Sequence, residues 1–150
     1  MKLKRAFVLT FIFGLLSGCS QPDFYDVNGN GISLQDLHSK PLIVNYWATW
    51  CGPCIKEIPE LNDLAKQHAS DLNLVGVNFD QPDESEQKAQ ADKMKIEFPV
   101  LAGEPSVALG VTIPQVLPTT YVFATGGKLI ATLVGPQTQE SLLKALEAKD

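Results

Sequence analysis

Two cysteines in the segment Trp50-Cys51-Gly52-Pro53-Cys54 are the strongest candidates for chemistry in this 150-residue chain. Two intervening residues let the thiols meet as a disulfide across one helical turn. An apolar run precedes the segment and a stretch with helical spacing follows it, which predicts Cys51 at a helix N-terminus. Free backbone N–H groups and the helix dipole stabilise a thiolate there, so its pKa falls below the ~8.5 of a free thiol. We therefore expect Cys51 to be the nucleophile and Cys54, more enclosed, to be the resolving thiol.

The residues between the cysteines suit this chemistry. Pro53 costs nothing in a first helical turn, where its missing N–H has no partner, and Gly52 lets a substrate chain approach the sulfur. Zinc is the main rival for such a pair, but it needs four ligands. The chain has no second pair of this kind, and His38 and His68 lack metal-ligand spacing. An inert structural disulfide is the other alternative. We predict no metal and no cofactor besides the redox-active disulfide.

An alternating pattern of strands and helices surrounds the motif. Residues 41–47 form a continuous apolar run typical of a buried strand, and residues 54–69 carry apolar side chains at helical spacing. The other predicted elements are a hairpin of residues 24–27 and 32–34, strands at 72–79, 98–101, 119–124 and 128–134, and helices at 83–95, 106–109 and 137–149. This order predicts parallel strands with right-handed crossovers and a late antiparallel pair, in a mixed sheet between helices. Calcium binding by the Asn/Gly-rich hairpin loop is an alternative, but the loop lacks the 12-residue ligand pattern.

The first 18 residues have the pattern of an export signal. Three basic side chains lie within residues 1–5, and residues 6–16 are apolar except for two positions. This run is too short to span a ~30 Å hydrocarbon layer permanently. Residues 15–19, Leu-Leu-Ser-Gly-Cys, resemble the lipobox of bacterial lipoproteins. The resemblance implies cleavage after Gly18 and lipidation of Cys19, with plain secretion and a free Cys19 thiol as the alternative.

These boundaries divide the chain into a signal peptide of residues 1–18, a lipidated linker of residues 19–23 and one domain of residues 24–150. Two or more acyl chains give stable anchoring, so we expect a lipid anchor in the cell envelope. Ser20, rather than Asp, follows Cys19. In a Gram-negative cell this favours the outer membrane, with the domain facing the periplasm.

The charge balance excludes one class of partner. The chain has 12 Lys and Arg against 17 Asp and Glu, and three of the basic residues lie in the signal segment. The mature part is therefore strongly acidic. Nucleic-acid binding needs clustered basic residues that neutralise phosphates, so we predict no nucleic-acid partner. The acidic domain also offers no polybasic patch for anionic lipid.

Residues 42–61, LIVNYWATWCGPCIKEIPEL, and residues 117–121, LPTTY, resemble the TlpA-like and ResA-like membrane-tethered thioredoxins. The resemblance covers about residues 24–149. It implies a thioredoxin-like three-layer α/β/α sandwich with a mixed central sheet, an N-terminal β-hairpin and a helix-plus-strand insertion at residues 83–101. It also implies that Pro118 is a cis-proline facing the disulfide, and that the backbone at Leu117 and Pro118 pairs with an extended substrate segment. A trans proline that starts an ordinary strand is the alternative.

The same resemblance suggests how protons are handled. Ordinary thioredoxins have a buried Asp six residues before the first cysteine, and Asn45 takes that position here. Glu57, three residues after Cys54, matches an acidic position of the ResA-like branch. The spacing returns its carboxylate to the side of Cys54, where it would exchange the proton of the resolving thiol. A solvated Glu57 paired with lysine is the alternative. Trp50 is expected on the substrate surface, whereas Asp80 and Glu60 are expected to be solvated.

The predicted function is thiol–disulfide exchange outside the cytoplasm through the Cys51–Cys54 couple. Gly-Pro between the cysteines matches reducing thioredoxins, near ~−270 mV, better than the oxidant DsbA, near ~−120 mV. We expect a monomer that reduces disulfides of exported proteins and is recharged by a membrane thiol electron donor. An oxidase or isomerase of DsbA type is the main alternative. A thiol peroxidase and a copper chaperone fit less well, because the spacings around Cys51 differ by one residue.

One segment departs from the family pattern. Family members commonly have a short Gly-Val-x-Gly-x-Pro approach to the cis-proline. Here Gly110 and Val111 are followed by six residues, TIPQVL, before Pro118. The added residues lie next to the expected docking edge. Partner choice, including a role in cytochrome c maturation, therefore does not follow from the resemblance.

Overall fold

The computed structural model describes residues 21–147. The predicted signal peptide and the lipidation site Cys19 lie outside the described residues. Within residues 21–147, no helix is both long enough and apolar enough to cross a membrane.

Residues 21–147 form seven strands and five helices. In chain order they are β1 (Phe24–Tyr25), β2 (Gly31–Ile32), α1 (Leu34–His38), β3 (Leu42–Trp47), α2 (Gly52–Gln67), β4 (Asn73–Asn78), α3 (Glu84–Lys93), β5 (Val100–Leu101), α4 (Ser106–Leu109), β6 (Thr119–Phe123), β7 (Leu129–Val134) and α5 (Gln139–Glu147). The central sheet has the order β5-β4-β3-β6-β7. Strand β3 pairs in parallel with β4 and antiparallel with β6. The predicted mixed sheet is confirmed.

Side chains of β3 alternate between the two faces of this sheet. Leu42, Val44 and Tyr46 join a core that also contains residues of α1 and α4. Ile43 points to the opposite face, into a core built with α2 and α5. Because all of β3 is buried, both faces of the central strand are covered by helices. The predicted three-layer α/β/α sandwich is confirmed.

The N-terminal hairpin and the insertion pack together at one edge of the sheet. Strands β1 and β2 are antiparallel, and the Asp26 carboxylate closes their loop by accepting from the backbone N–H groups of Asn28 and Asn30. Val27 N–H donates to the Val100 carbonyl at 2.9 Å, so the hairpin covers the outer edge of β5. Helix α3 and β5 are the predicted helix-plus-strand insertion.

Several predicted boundaries were wrong, and two of them bear on the site and on α1. Residues 32–34 are not one strand, because α1 begins at Leu34. Ser33 caps that helix, accepting from the Asp36 N–H at 3.0 Å and donating to its carboxylate at 2.6 Å. This Ser-x-x-Asp pattern is a helix start signal that the strand assignment overlooked. Helix α2 begins at Gly52, two residues before the predicted start, which makes Cys51 its N-cap.

Candidate active site

A disulfide joins Cys51 and Cys54 at the start of α2, with 5.3 Å between their Cα atoms. Cys51 is the N-cap residue, and its Sγ accepts the backbone N–H of Cys54 at 3.2 Å. The sulfur therefore occupies the place where a capping oxygen usually satisfies a free N–H group. Cys51 retains 4% of its accessible surface and Cys54 retains none. Of the two cysteines, only Cys51 keeps any accessible surface.

Strand β3 and the turn after it precede the disulfide, and helix α2 follows it. Strand β3 delivers it from the core, and the Cys51 N–H donates to the Ala48 carbonyl at 3.2 Å. Pro53 stands in the first turn of α2, as predicted, and both Gly52 and Pro53 are exposed. The reactive turn thus combines a fixed sulfur with an open surface.

The Leu117–Pro118 peptide bond is cis, as the family resemblance implied. Leu117 packs against the buried cluster that contains both cysteines. The Pro118 carbonyl accepts the N–H of Gly135 at 2.9 Å, which ties this loop to the turn after β7. Leu117 therefore packs against the cluster that contains the disulfide. That Pro118 faces the disulfide, and that both residues pair with a substrate, stay predictions.

The residues that depart from the family pattern lie in a loop of residues 111–117, which two side-chain hydrogen bonds hold in place. The Tyr121 hydroxyl donates to the Thr112 carbonyl at 2.6 Å, and the Thr119 hydroxyl donates to the Val116 carbonyl at 2.8 Å. Between these two bonds, Ile113 is 46% exposed and Val116 is 56% exposed. The two hydrogen bonds hold the backbone of this loop, and Ile113 and Val116 remain exposed to solvent.

Trp50, which precedes Cys51 in the chain, is a further exposed apolar side chain of the site. Its side chain is 63% exposed, yet its Nε1–H donates to the Asp80 carboxylate at 2.9 Å. The ring also meets Phe79 edge to face, with 6.4 Å between centroids. Asp80 was expected to be merely solvated, and the structure gives it the additional role of orienting the indole.

Glu57 is buried in the core between α2 and the sheet, with 2% of its surface exposed. Its Oε1 accepts from Asn45 Nδ2 at 2.8 Å, and its Oε2 accepts the Gln137 N–H at 2.8 Å. Burial raises the pKa of Glu57 above its ordinary value of 4.5, while these two hydrogen bonds act in the opposite direction. The alternative of a solvated Glu57 paired with lysine is wrong.

The residues around Glu57 come from three other segments. Asn45 lies in β3 and donates also to the Thr120 hydroxyl of β6 at 3.0 Å. Gln137 lies in the turn between β7 and α5. Sequence reasoning missed the parts played by Thr120 and Gln137. A signal was present, because Asn45 and Thr120 are polar residues in otherwise buried strands and such groups need hydrogen-bond partners.

No group of three or more His, Cys, Asp or Glu side chains that could hold a metal ion occurs within residues 21–147.

Comparisons with known proteins agree with this geometry. A family model described as AhpC/TSA family matches residues 17–132. The thioredoxin-like protein YneN of Bacillus subtilis (strain 168) is 33% identical over 138 residues, which cover 89% of this chain and 81% of YneN. The thiol-disulfide oxidoreductase ResA of Bacillus anthracis is 31% identical over 128 residues, which cover 83% of this chain and 73% of ResA. The crystal structure of StoA from Bacillus subtilis matches with a TM-score of 0.65 at 26% identity, over 81% of this chain and 92% of StoA.

The raised pKa of Glu57 predicts a pH dependence of folding stability. The folded protein holds this proton more tightly than the unfolded chain, whose Glu57 titrates near 4.5. The free energy of unfolding should therefore fall as pH rises from 4.5 through the raised pKa, and then level off. Glu57→Gln cannot ionise and lacks this fall. Urea unfolding of the oxidised protein and the variant across this pH interval measures the difference.

Glu60→Gln is the matched control. Glu60 lies three residues further along α2, is exposed, and accepts the Gln139 N–H at 3.2 Å. Its stability curve should run parallel to that of the unsubstituted protein. Parallel curves for Glu57→Gln as well would show that the Glu57 carboxylate does not titrate as its burial requires.

Proposed function

We propose a reductive role outside the cytoplasm for this protein, which belongs to the AhpC/TSA family and is a thiol-disulfide oxidoreductase of thioredoxin-like fold. The observation that carries the exchange activity itself is the pairing of Cys51, which keeps some accessible surface, with the fully buried Cys54 at the start of one helix. A dithiol of this geometry exchanges with a partner through the first sulfur and releases it through the second.

In the reduced protein, the Cys51 thiolate attacks one sulfur of a client disulfide. A bond forms between Cys51 and that sulfur, and the electron pair of the broken bond leaves on the other client sulfur. Cys54 then attacks Cys51, so that the bond between the two cysteines forms and the bond to the client breaks. The client departs as a dithiol, and the protein is left with the Cys51–Cys54 disulfide.

Glu57 is proposed to accept the proton that Cys54 must lose before this second attack. The two residues lie three positions apart on α2, and both side chains are buried on the side that faces the sheet. Side chains at this spacing are neighbours on a helix. A carboxylate whose pKa is raised by burial is a better proton acceptor at neutral pH than an exposed one.

The client is proposed to dock as an extended segment between two apolar walls. One wall is Trp50, with Gly52 and Pro53 leaving room above the sulfur. The other is the loop that ends at Leu117 and Pro118 and exposes Ile113 and Val116. Residues 105–127 contain no charged side chain, which favours clients with apolar residues around the reactive cystine.

The reductive direction rests on Gly52 and Pro53, the pair typical of reducing thioredoxins. Such a protein would need electrons, and we propose a membrane thiol donor that reduces the Cys51–Cys54 disulfide by the reverse of the same exchange. We propose further that cleavage after Gly18 and lipidation of Cys19 tether the domain to the cell envelope, where exported proteins carry disulfides. A membrane tether would hold the domain near both its donor and its clients.

Replacing the resolving thiol should trap the clients. In cells that make the full chain with Cys54→Ala, the Cys51 sulfur still attacks client disulfides, but the mixed disulfide cannot be resolved. We expect one-to-one adducts that a reductant dissolves, measured on non-reducing gels and identified by mass spectrometry. Activity of the purified variant towards a protein disulfide should fall to background.

The control carries Cys51→Ala together with Cys54→Ala and should form no adducts. Adducts that persist in the control, or their absence from Cys54→Ala, would contradict the assignment of Cys51 as the nucleophile.

Rapid alkylation of the unsubstituted protein in cells tests whether it reduces or oxidises its clients. A reductase should be found mainly as the dithiol, whereas a protein found mainly as the disulfide would contradict the reductive role.

The lipid anchor is tested at Cys19. Cells supplied with a clickable fatty acid should label the full chain, and the labelled protein should fractionate with membranes. Cys19→Ser should abolish the label because serine offers no thiol for thioether attachment. The matched control, Cys51→Ser with Cys54→Ser, should keep it. Label that survives Cys19→Ser, or is absent from the unsubstituted chain, would refute the anchor.

A further inference from the structure

The hydrogen bonds in the buried polar cluster around Glu57 suit the ionised carboxylate and not the protonated one. Asn45 and Thr120 are completely buried, and Glu57 is nearly so. Oε1 of Glu57 faces the Asn45 amide nitrogen at 2.8 Å, and Oε2 faces the backbone nitrogen of Gln137 at 2.8 Å. Both neighbours are donors, and neither has a lone pair to offer. A proton placed on Glu57 would therefore have no acceptor in this arrangement.

Asn45, which donates to Glu57 through Nδ2, also carries an acceptor, its Oδ1. Asn45 Oδ1 is buried and has no hydrogen-bond partner, although its Nδ2 bonds both Glu57 and Thr120. An unpaired amide oxygen in a protein core is destabilising, so its retention needs a physical reason. Rotating the amide by half a turn about the Cβ–Cγ bond exchanges Oδ1 and Nδ2. The oxygen then faces Glu57 and Thr120, and Nδ2 takes the buried place that Oδ1 had.

We propose that Asn45 is a positioning residue for proton transfer to Glu57, and that its amide rotates when the carboxylate is protonated. In the rotated form Oδ1 accepts from the Glu57 hydroxyl. Thr120, whose hydroxyl both donates and accepts, changes from accepting from Nδ2 to donating to Oδ1. The proposal rests on the proposed role of Glu57 as the proton acceptor for Cys54.

The step balances without another reactant. The Cys54 thiol gives its proton to Glu57 Oε1, and the thiolate that remains attacks the Cys51 sulfur of the mixed disulfide. The Cys51–Cys54 bond forms, and the client sulfur leaves with the electron pair of the bond to Cys51. Rotation of Asn45 stabilises the proton on Glu57 while this exchange takes place.

Among the described residues, few groups that carry charge face the carboxylate. From β3 and β6 it meets the neutral Asn45 amide and the Thr120 hydroxyl behind it, and from the turn before α5 it meets the Gln137 N–H. On its own helix the neighbouring titratable groups are Cys54, when reduced, and Glu60, whose carboxylate accepts the Gln139 N–H. The response of Asn45 to pH therefore reports mainly on Glu57.

Nuclear magnetic resonance of the oxidised protein tests the rotation directly. The side-chain carboxyl carbon of Glu57 gives the protonation state of that residue, and the side-chain amide signals of Asn45 give its hydrogen bonding. We expect both to change with the same midpoint pH, and we expect the Asn45 change to vanish in Glu57→Gln. If Glu57 titrates while the Asn45 amide signals stay constant, the rotation is refuted and the role of Glu57 survives.

Kinetics supply a second, independent readout. When the reduced protein reacts with an aromatic disulfide reagent, the first coloured thiol reports attack by Cys51, and the second reports resolution by Cys54. Asn45→Asp puts a second carboxylate against Glu57, so the pair shares one proton and titrates at higher pH. The pH midpoint of the second phase should rise by about one unit or more, and that of the first phase should stay fixed. A uniform slowing with an unmoved midpoint would mean a structural role only.

Thr120 offers a matched pair of variants. Thr120→Val keeps the shape and removes the hydroxyl, and it should slow the second phase about fivefold, the equivalent of one hydrogen bond. Thr120→Ser keeps the hydroxyl and should restore the rate. Equal rates in both variants would contradict the part assigned to the hydroxyl. If Glu57→Gln leaves the second phase unchanged, the proton-acceptor role itself fails, which distinguishes that failure from failure of the rotation.

Discussion

The Cys51 sulfur caps the first turn of α2 and accepts the Cys54 N–H at 3.2 Å. Backbone N–H groups at a helix start carry partial positive charge, and they favour the ionised form of a group placed there. The rest of the site depends on this contact. Strand β3 leads to the turn that holds this sulfur, and Leu117 of the cis-proline loop packs against the cluster that contains both cysteines. A thiol displaced from this cap would lose its activation.

A buried carboxylate is the second constraint. Burial disfavours the ionised form of Glu57, and two donated hydrogen bonds oppose that effect. Those bonds come from β3 and from the turn before α5, so the carboxylate joins α2 to segments on both sides of the disulfide. The same turn reaches the cis-proline loop through the bond between Gly135 and Pro118. Proton handling and the shape of the docking edge are therefore built from one connected set of contacts.

Much of this architecture was predictable from the sequence. Continuous apolar runs predicted the central strands, and the cysteine spacing with Pro53 predicted the reactive turn at the start of α2. The cis bond at Pro118 and the burial of Glu57 were predicted only from the family resemblance. The positions of these residues in the sequence do not by themselves reveal a cis bond or a buried acid. The partners of Glu57 escaped prediction because Thr120 is 75 positions from Asn45 and Gln137 is 80 positions from Glu57. Contacts between residues so far apart in the chain depend on how β3, β6 and the turn before α5 come together, and no pattern close to Asn45 or Glu57 specifies that.

Titration of the reduced protein measures how far the helix start ionises the Cys51 sulfur. With Cys19 and Cys54 both replaced by serine, a single thiol remains, and its ultraviolet absorbance rises when it ionises. We expect Cys51 to be largely thiolate at neutral pH, with a pKa well below the ~8.5 of a free cysteine. A midpoint at or above ~8.5 would contradict it, because the cap at α2 would then not activate the sulfur on which the exchange depends.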